Sequence, residues 1–215
     1  MKLATILIDE KVALAAIDSD GNARAVLEGQ PGYPGDVGTV VARGGDALAA
    51  AGKTAVGGAF FEAGRFQYLP VVRHPAKTIW VGLNYSDHAA EGGFDIPEFP
   101  TIFSRFSSSL IGHGAALLVP PESDKFDYEV ELAVAVGKGG RRIPKSTELD
   151  HVAGYSIFND ASVRVFHLRT PQWTVGKNFD HTGAFGPYLV RPDEVPTSAS
   201  NLKIETRIPQ TRSRP

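Results

Sequence analysis

Cysteine is absent from the 215 residues, which excludes disulfides, thiolate zinc sites and cysteine nucleophiles. Basic clusters are also lacking, since 22 Lys and Arg against 24 Asp and Glu give a net charge of −2. This balance excludes the positive surface of a general nucleic-acid binder. Long apolar runs are missing too, because the first one meets Asp9-Glu10 before it could complete a signal peptide or a membrane span. We therefore expect a cytoplasmic protein that binds neither nucleic acid nor membrane.

Apolar residues make up 42% of the chain, enough to bury a sizeable core, and 23 Gly and 15 Pro indicate many turns. Residues 3–8 and 12–17 predict two antiparallel strands, and the spacing of apolar residues over 36–50 predicts a helix that contains Gly44-Gly45. Prolines at 70 and 75 flank a linker. We place a domain boundary near residue 72, which gives a small N-terminal β-rich domain (1–72) and a second domain (73–215).

The second domain alternates strand patterns with short helical or turn stretches, which is typical of a mixed, β-rich α+β fold. Strands are predicted at 78–81, 100–106, 128–136, 154–159 and 187–190, and a short helix at 146–151.

The strongest local pattern is the strict alternation over residues 127–136, which only a strand can satisfy. Glu129 and Glu131 lie on the same face, about 7 Å apart along the strand, opposite an apolar face. Two interpretations stay open. Either the acidic face is simply solvated, or the carboxylates converge on a hard cation such as Mg²⁺, Mn²⁺ or Ca²⁺, which would relieve their repulsion. Asp160, at the end of an apolar run, either adds a third ligand or caps a turn.

A second constellation pairs His88 with Glu91 at i,i+3 spacing on a predicted short helix. A carboxylate beside a histidine raises its basicity, as a general base that deprotonates water requires. An ordinary surface charge pair is the alternative. Lys177, beside a glycine, has the pattern of a solvated loop lysine when it is taken alone.

Several motifs occur together in a fixed order between residues 79 and 195. They are Gly82-Leu83-Asn84-Tyr85 with His88 and Glu91, Asp127-Tyr128-Glu129-Val130-Glu131-Leu132, Asn159-Asp160-Ala161-Ser162-Val163-Arg164, Gln172-Trp173, Gly176-Lys177 and Gly186-Pro187. In this combination the chain resembles the fumarylacetoacetate hydrolase family, in particular its bacterial two-domain members.

The resemblance implies a mixed β-roll catalytic domain that dimerises and a metal-dependent enzyme acting on small 2-oxo or β-diketo acids, as in aromatic catabolism. By motif match, Glu129, Glu131 and Asp160 fall on the ligands of the family's Mg²⁺ or Mn²⁺ ion, with Ca²⁺ as a further option. His88 and Glu91 fall on its water-activating dyad. Lys177 falls on its active-site lysine.

The implied reaction is hydrolysis of a C–C bond in an acylpyruvate-type 2-oxo acid. An isomerase, hydratase or decarboxylase of related acids is the alternative within the enzyme class. The family's Arg-Asp pair and following glutamine are replaced here by Arg164, Val165 and His167, which affects substrate choice. The tail over residues 207–215 departs from the family pattern, so we also expect a C-terminally truncated catalytic domain, with an inactive truncated product as the competing hypothesis.

Overall fold

The computed structural model describes residues 1–85, 95 and 97–207, and its strands run throughout this part of the chain. The strands are β1 (Lys2–Ile8), β2 (Lys11–Ile17), β3 (Ala23–Leu27), β4 (Ala59–Phe61), β5 (Gln67–Tyr68), β6 (Trp80–Gly82), β7 (Thr101–Phe103), β8 (Leu110–Gly112), β9 (Phe126–Asp127), β10 (Val130–Val136), β11 (Val152–Asp160), β12 (Ser162–Val163), β13 (Gly183–Phe185) and β14 (Leu189–Val190). The helices are α1 (Val37–Val41), α2 (Gly45–Val56), α3 (Arg164–His167) and α4 (Thr174–Lys177), with 3-10 turns at Ser107–Ser109, Lys145–His151, Pro192–Glu194 and Pro196–Ala199.

Ten of the described strands form one large sheet, and this architecture confirms the predicted β-rich α+β class. Its strand order is β4-β3-β2-β1-β14-β11-β13-β8, with β10 paired to β11 and β5 paired to β1. All of these pairs are antiparallel except β13 with β8. Two small sheets, β12-β9 and β6-β7, lie beside it in the described part of the chain.

The two predicted N-terminal strands form, and both of their faces are buried. One face packs on α1 and α2, and the other is covered by aromatic side chains that follow β3. Thr5 is the buried polar exception, and its hydroxyl donates to the Val71 carbonyl (3.0 Å) and accepts from the Val37 N–H (3.3 Å). These bonds anchor β1 to the start of α1 and to the segment that leads into the second half of the chain.

The predicted helix over 36–50 is two helices in the structure. Asp36 caps the first, since its Oδ1 accepts from the Thr39 N–H at 2.8 Å. Gly44 has φ +97°, a conformation that side chains disfavour, and it separates α1 from α2. The glycine pair noted in the sequence therefore marks a break, and the second helix continues to Val56.

Strand pairing connects the two predicted domains, because Lys2 and Leu3 of β1 pair with Val190 and Leu189 of β14. The N-terminal hairpin is thus continuous with the sheet of the second half. The boundary near residue 72 stays a prediction.

The strands β10 and β11 have an exposed apolar side. Leu132, Val134 and Val136 are 37%, 49% and 64% exposed, and Ile157, opposite Leu132, is 46% exposed. The alternation in the sequence predicts two distinct faces, but here the acidic face is the more buried one. The homodimer implied by the family resemblance stays a prediction, and this apolar stripe is a surface on which to test it.

Within the described residues, no helix combines the length and the hydrophobicity that a membrane crossing requires.

Replacement of Leu14 by alanine tests the core between the sheet and the helices. Leu14 is fully buried, so Leu14→Ala should lower the free energy of unfolding by about 2–5 kcal/mol through lost burial and a residual cavity. Urea denaturation measures the change. Leu118, 52% exposed, offers a matched control, because Leu118→Ala should change stability by less than about 0.5 kcal/mol. Equal effects of the two changes would contradict this core assignment.

Candidate active site

Three carboxylates lie on one face of the β10–β11 pair. Glu131 is opposite Phe158, and Asp160 is two residues further along β11, so the two acidic side chains point to the same side. Glu129 immediately precedes β10, and its carbonyl accepts from the Asp160 N–H at 2.7 Å. The alternation that pairs the two glutamates in the sequence thus brings both of them to the end of β11.

The Lys177 ammonium group lies between two of these carboxylates. Its Nζ is 2.7 Å from Glu129 Oε2 and 2.7 Å from Asp160 Oδ2. The side chains of Lys177 and Asp160 are each 1% exposed, and that of Glu129 is 13% exposed. A lysine that is buried to this degree needs paired carboxylates. Its interpretation as a solvated loop lysine is therefore excluded.

Arg105 is a residue of the site that sequence reasoning missed. Its Nε pairs with Asp160 Oδ1, and its Nη1 donates to Ser109 Oγ (3.2 Å) and Thr182 Oγ1 (3.3 Å). The guanidinium is fully buried and also lies 5.5 Å from the centre of the Phe158 ring. Its signal in the sequence is a lone charge between Phe103 and Phe106, in a segment that the sequence predicts to be a strand.

Arg164, at the start of α3, holds Glu129 from the other side. Its Nη1 is 2.6 Å from Glu129 Oε1, and its Nη2 is 2.7 Å from Asp127 Oδ2. Burial disfavours the charged form of Glu129, but the positive charges of Lys177 and Arg164 outweigh it and hold the pKa of Glu129 below its ordinary value. Glu129 is therefore ionised at neutral pH.

Glu131 differs from its two neighbours, because it forms no ion pair with any described residue. Burial raises the pKa of Glu131 to about 7, and the negative charges of Asp160 and Glu129 add to the rise. The Tyr85 hydroxyl faces both Glu131 and the Leu132 N–H, which donates to it at 3.3 Å. The site thus contains one carboxylate whose charge is not compensated.

Aromatic rings form one wall beside the charged groups. Trp80 and Phe103 stack with their centres 6.1 Å apart, and Phe103 and Trp173 meet edge to face at 5.9 Å. Lys177 Nζ lies 5.2 Å from the centre of the Phe103 ring. A Cβ atom at Gly82 would lie 2.0 Å from the Trp173 ring, so only glycine allows this approach. The wall keeps the ion pairs in a setting of low dielectric constant.

The structure brings together four of the six predicted site residues: Glu129, Glu131, Asp160 and Lys177. Asp160 is buried and ion-paired, so it does not act as a turn cap. His88 and Glu91 lie outside the described residues. Over residues 1–85 and 97–207, no three acidic or histidine side chains converge closely enough to hold an ion as they stand, since Lys177 occupies the space between Glu129 and Asp160.

Residues 77–214 match the family model named fumarylacetoacetate hydrolase C-terminal, which covers more than half of the chain. The chain belongs to the fumarylacetoacetate hydrolase family. The motifs that carry the resemblance and the carboxylate cluster lie inside the matched range, so the candidate site belongs to the family's domain.

Relatives within the fumarylacetoacetate hydrolase family are named for different activities. The chain is 42% identical over 142 residues to the mitochondrial oxaloacetate tautomerase Fahd2a of Rattus norvegicus, a match that covers 66% of this chain and 45% of the relative. The chain thus spans less than half the length of this relative. Its fold is similar to the fumarylacetoacetate hydrolase of Exiguobacterium antarcticum (27% identity, TM-score 0.71, 90% of this chain and 67% of that one).

A third similarity is to the 5-carboxymethyl-2-hydroxymuconate delta-isomerase of Mycobacterium smegmatis, with 25% identity and a TM-score of 0.65 over 89% of this chain and 67% of that one. These relatives thus include a tautomerase, a hydrolase and an isomerase.

Glu131→Gln tests the uncompensated carboxylate through the pH dependence of stability. The pKa of Glu131 is about 7 when folded, against an ordinary value of 4.5, so its stabilising contribution is complete below about pH 4.5 and is lost as pH rises through 7. Relative to the wild type, Glu131→Gln should gain about 1–3 kcal/mol between pH 5 and pH 8. Urea unfolding in buffer with a chelator measures the difference.

Glu122→Gln, at an exposed position, serves as the control for the loss of one carboxylate and should follow the pH profile of the wild type. If Glu131→Gln also follows that profile, the pKa of Glu131 is not raised in the folded protein and the assignment is wrong.

Proposed function

We propose that this chain is a divalent-metal-dependent enzyme that binds a small 2-oxo acid and stabilises its enolate form. The observation that carries the proposal is the cluster of Glu129, Glu131 and Asp160 on one sheet face, with the Lys177 ammonium group 2.7 Å from two of them. Such a cluster combines a set of oxygen ligands with a buried positive charge, and enolate chemistry uses both.

The chemistry of these residues fits a hard cation. All three candidate ligands offer carboxylate oxygens, which Mg²⁺ and Mn²⁺ prefer. Glu129 Oε2 and Asp160 Oδ2 are directed at the same cationic group, and Glu131 adds a carboxylate that forms no ion pair with a described residue. When bound, the cation would supply a Lewis acid that polarises the carboxylate and 2-oxo oxygens of the substrate.

Each of the chain's own residues has a defined task in this proposal. Lys177 stabilises negative charge that develops on a substrate oxygen, since its Nζ is a buried cation beside the carboxylates that would hold the metal ion. Arg105 positions Asp160, and Arg164 positions Glu129. The aromatic wall excludes water from this side of the site.

Hydrolysis of a C–C bond in an acylpyruvate-type acid is the first candidate reaction. His88, oriented by Glu91, takes a proton from water, and the hydroxide adds to the distal carbonyl carbon. The bond from that carbon to the methylene group breaks, and its electron pair remains as the enolate of a 2-oxo acid, which Lys177 stabilises until it takes a proton. The products are a carboxylic acid and a 2-oxo acid.

Keto–enol tautomerisation is the second candidate, and the similarity to an oxaloacetate tautomerase favours it. This reaction passes through the same enolate and breaks no C–C bond. It needs the carboxylate cluster and Lys177, but it does not need the attack by water for which His88 and Glu91 are proposed.

Glu129→Gln and Asp160→Asn test the cation-binding face. Each change should lower Mn²⁺-dependent turnover at least about 100-fold. Loss of a residue that only supports a metal ligand already lowers metal affinity or activity about 10- to 100-fold, and loss of the ligand itself should lower it further. The assay follows a panel of acylpyruvates, fumarylacetoacetate and oxaloacetate in the presence of Mg²⁺ or Mn²⁺. Thermal melts with added Mn²⁺ should show a higher Tm for the wild type and a smaller shift for both variants.

Glu122→Gln again serves as the exposed control and should retain both the turnover and the Tm shift. Full activity of Glu129→Gln or of Asp160→Asn would overturn the proposed cation site.

His88→Ala separates the two reactions. If the chain is a hydrolase, His88→Ala should abolish release of the carboxylic acid while the 2-oxo acid still binds. Product analysis by NMR and the rate of enol-oxaloacetate decay give the two readouts. Unchanged catalysis in this variant would reject hydrolysis by this dyad and support tautomerisation.

A further inference from the structure

The two arginines of the candidate site each hold one oxygen of the carboxylate that they contact. Arg105 Nε pairs with Asp160 Oδ1, while Asp160 Oδ2 is 2.7 Å from Lys177 Nζ. Arg164 Nη1 is 2.6 Å from Glu129 Oε1, while Glu129 Oε2 is 2.7 Å from Lys177 Nζ. In both carboxylates, one oxygen thus faces an arginine and the other faces the same ammonium group.

The contact between Arg105 and Asp160 is fixed by its surroundings. The two side chains are 0% and 1% exposed. The rest of the guanidinium is held by the two hydroxyls described above and by the Ala161 carbonyl, which accepts from Nη2 at 2.5 Å. The group also packs against β13, where a Cβ atom at Gly183 would lie 2.5 Å from Nη1. Each nitrogen of this guanidinium therefore has a partner that keeps Arg105 against Asp160 Oδ1.

Glu129 Oε1 is held by two donors. Besides Arg164 Nη1, the Ser162 hydroxyl donates to it at 3.3 Å. Arg164 is itself fixed, because its Nε (3.0 Å) and Nη2 (2.7 Å) both donate to Asp127 Oδ2. A guanidinium that lies against a carboxylate oxygen occupies its lone pair and repels a second cation from that oxygen. Oε1 of Glu129 and Oδ1 of Asp160 are therefore both unavailable to a metal ion.

The remaining oxygens, Glu129 Oε2 and Asp160 Oδ2, converge on one point, since each lies 2.7 Å from the same Nζ atom. Each of these residues can then offer one oxygen to a cation. Ca²⁺ takes about six to eight oxygens in a flexible arrangement and often binds a carboxylate through both of its oxygens. Mg²⁺ is smaller, requires an octahedral arrangement and keeps several waters. A ligand set that is restricted to single carboxylate oxygens therefore favours the smaller ion.

We propose that these two arginines are positioning residues that restrict Asp160 and Glu129 to one-oxygen coordination and thereby select Mg²⁺ or Mn²⁺ over Ca²⁺. This inference rests on the proposed function for the presence of a cation. Glu131 is outside the restriction, because it forms no ion pair with a described residue, and it can contribute one or two oxygens. The carboxylates thus supply the negative charge, and the arginines limit the number of oxygen ligands.

The test measures metal binding, so that it does not depend on turnover. Displacement of bound Mn²⁺, followed by electron paramagnetic resonance, gives the Kd values of Mg²⁺ and Ca²⁺. The wild type should bind Mg²⁺ more tightly than Ca²⁺. Arg105→Met releases Asp160 Oδ1, so the ratio of the Ca²⁺ Kd to the Mg²⁺ Kd should fall about 10-fold, an effect typical of residues that orient metal ligands. Arg164→Met should lower this ratio in the same way through Glu129 Oε1.

The ratio separates coordination from charge. Loss of one positive charge changes the affinity for both divalent ions alike and leaves the ratio as it is. Arg141→Met, at an exposed arginine, is the matched control and should keep the wild-type ratio.

Infrared difference spectra give a second readout, because the carboxylate stretching bands differ between one-oxygen and two-oxygen coordination. Aspartate labelled with ¹³C identifies the bands of an aspartate ligand. In the wild type, these bands should show one-oxygen coordination with either ion. In Arg105→Met, the bands of two-oxygen coordination should appear with Ca²⁺.

The inference is wrong if the wild type binds Ca²⁺ as tightly as Mg²⁺, or if the ratio stays unchanged in both arginine variants. A melting curve for each variant shows whether it is folded. If Arg105→Met does not fold, Arg164→Met and the wild type decide, since the Arg164 side chain is 22% exposed and the wild-type measurements need no substitution.

The outcomes also distinguish this inference from the proposed function. If the wild type binds Mg²⁺ and Ca²⁺ equally well, the inference fails and the proposed function stands. If it selects Mg²⁺ through the arginines but converts no substrate in the panel, the proposed reactions fail and the inference stands. If it binds no divalent cation, both are overturned.

Discussion

The ion pairs of Lys177 with Glu129 and Asp160 are the constraint on which the rest of the site depends. Isolated charges at this depth would cost several kcal/mol each, so the three groups are stable only together. Their positions require β11 to end at Asp160, β10 to start just after Glu129, and α4 to end at Lys177. The short elements around them are best understood as the scaffold that fixes these three ends.

Two arginines extend this network in different directions. Arg105 reaches Asp160 from the segment after β7, and Arg164 reaches Glu129 from α3. Glu129 and Asp160 therefore each pair with one arginine and share one lysine, while Glu131 pairs with neither in the described part of the chain. The result is an uneven distribution of charge in which the compensated carboxylates are held rigidly and the uncompensated one can respond to pH or to a cation.

The sequence predicted those parts of this arrangement that depend on local periodicity. Period-2 alternation places Glu129 and Glu131 on one face whatever the tertiary structure, and the end of an apolar run locates Asp160. Arg105 could not be assigned in the same way, because its partner Asp160 is 55 residues away and no spacing rule connects them.

The alternation in β10 predicts two different faces, but it does not predict which face is exposed. The apolar side of β10 is open at Leu132 and Val134, whereas the acidic side is covered, because burial is decided by the elements that pack on the sheet. The predicted helix over 36–50 divides at Gly44, whose positive φ cannot be read from hydrophobic spacing. Family motifs supplied the role expected of Lys177, which the local pattern alone did not indicate.

The pairing of β1 with β14 joins residues that are almost as far apart in the chain as the described structure allows, Lys2 with Val190. On the ribosome, the first hairpin emerges long before its neighbour in the sheet is synthesised. Until then, the end of β1 at Lys2 and Leu3 has unpaired backbone groups, which can form hydrogen bonds with other strands. Assembly of the large sheet closes a very long loop, and such non-local pairing favours slow folding.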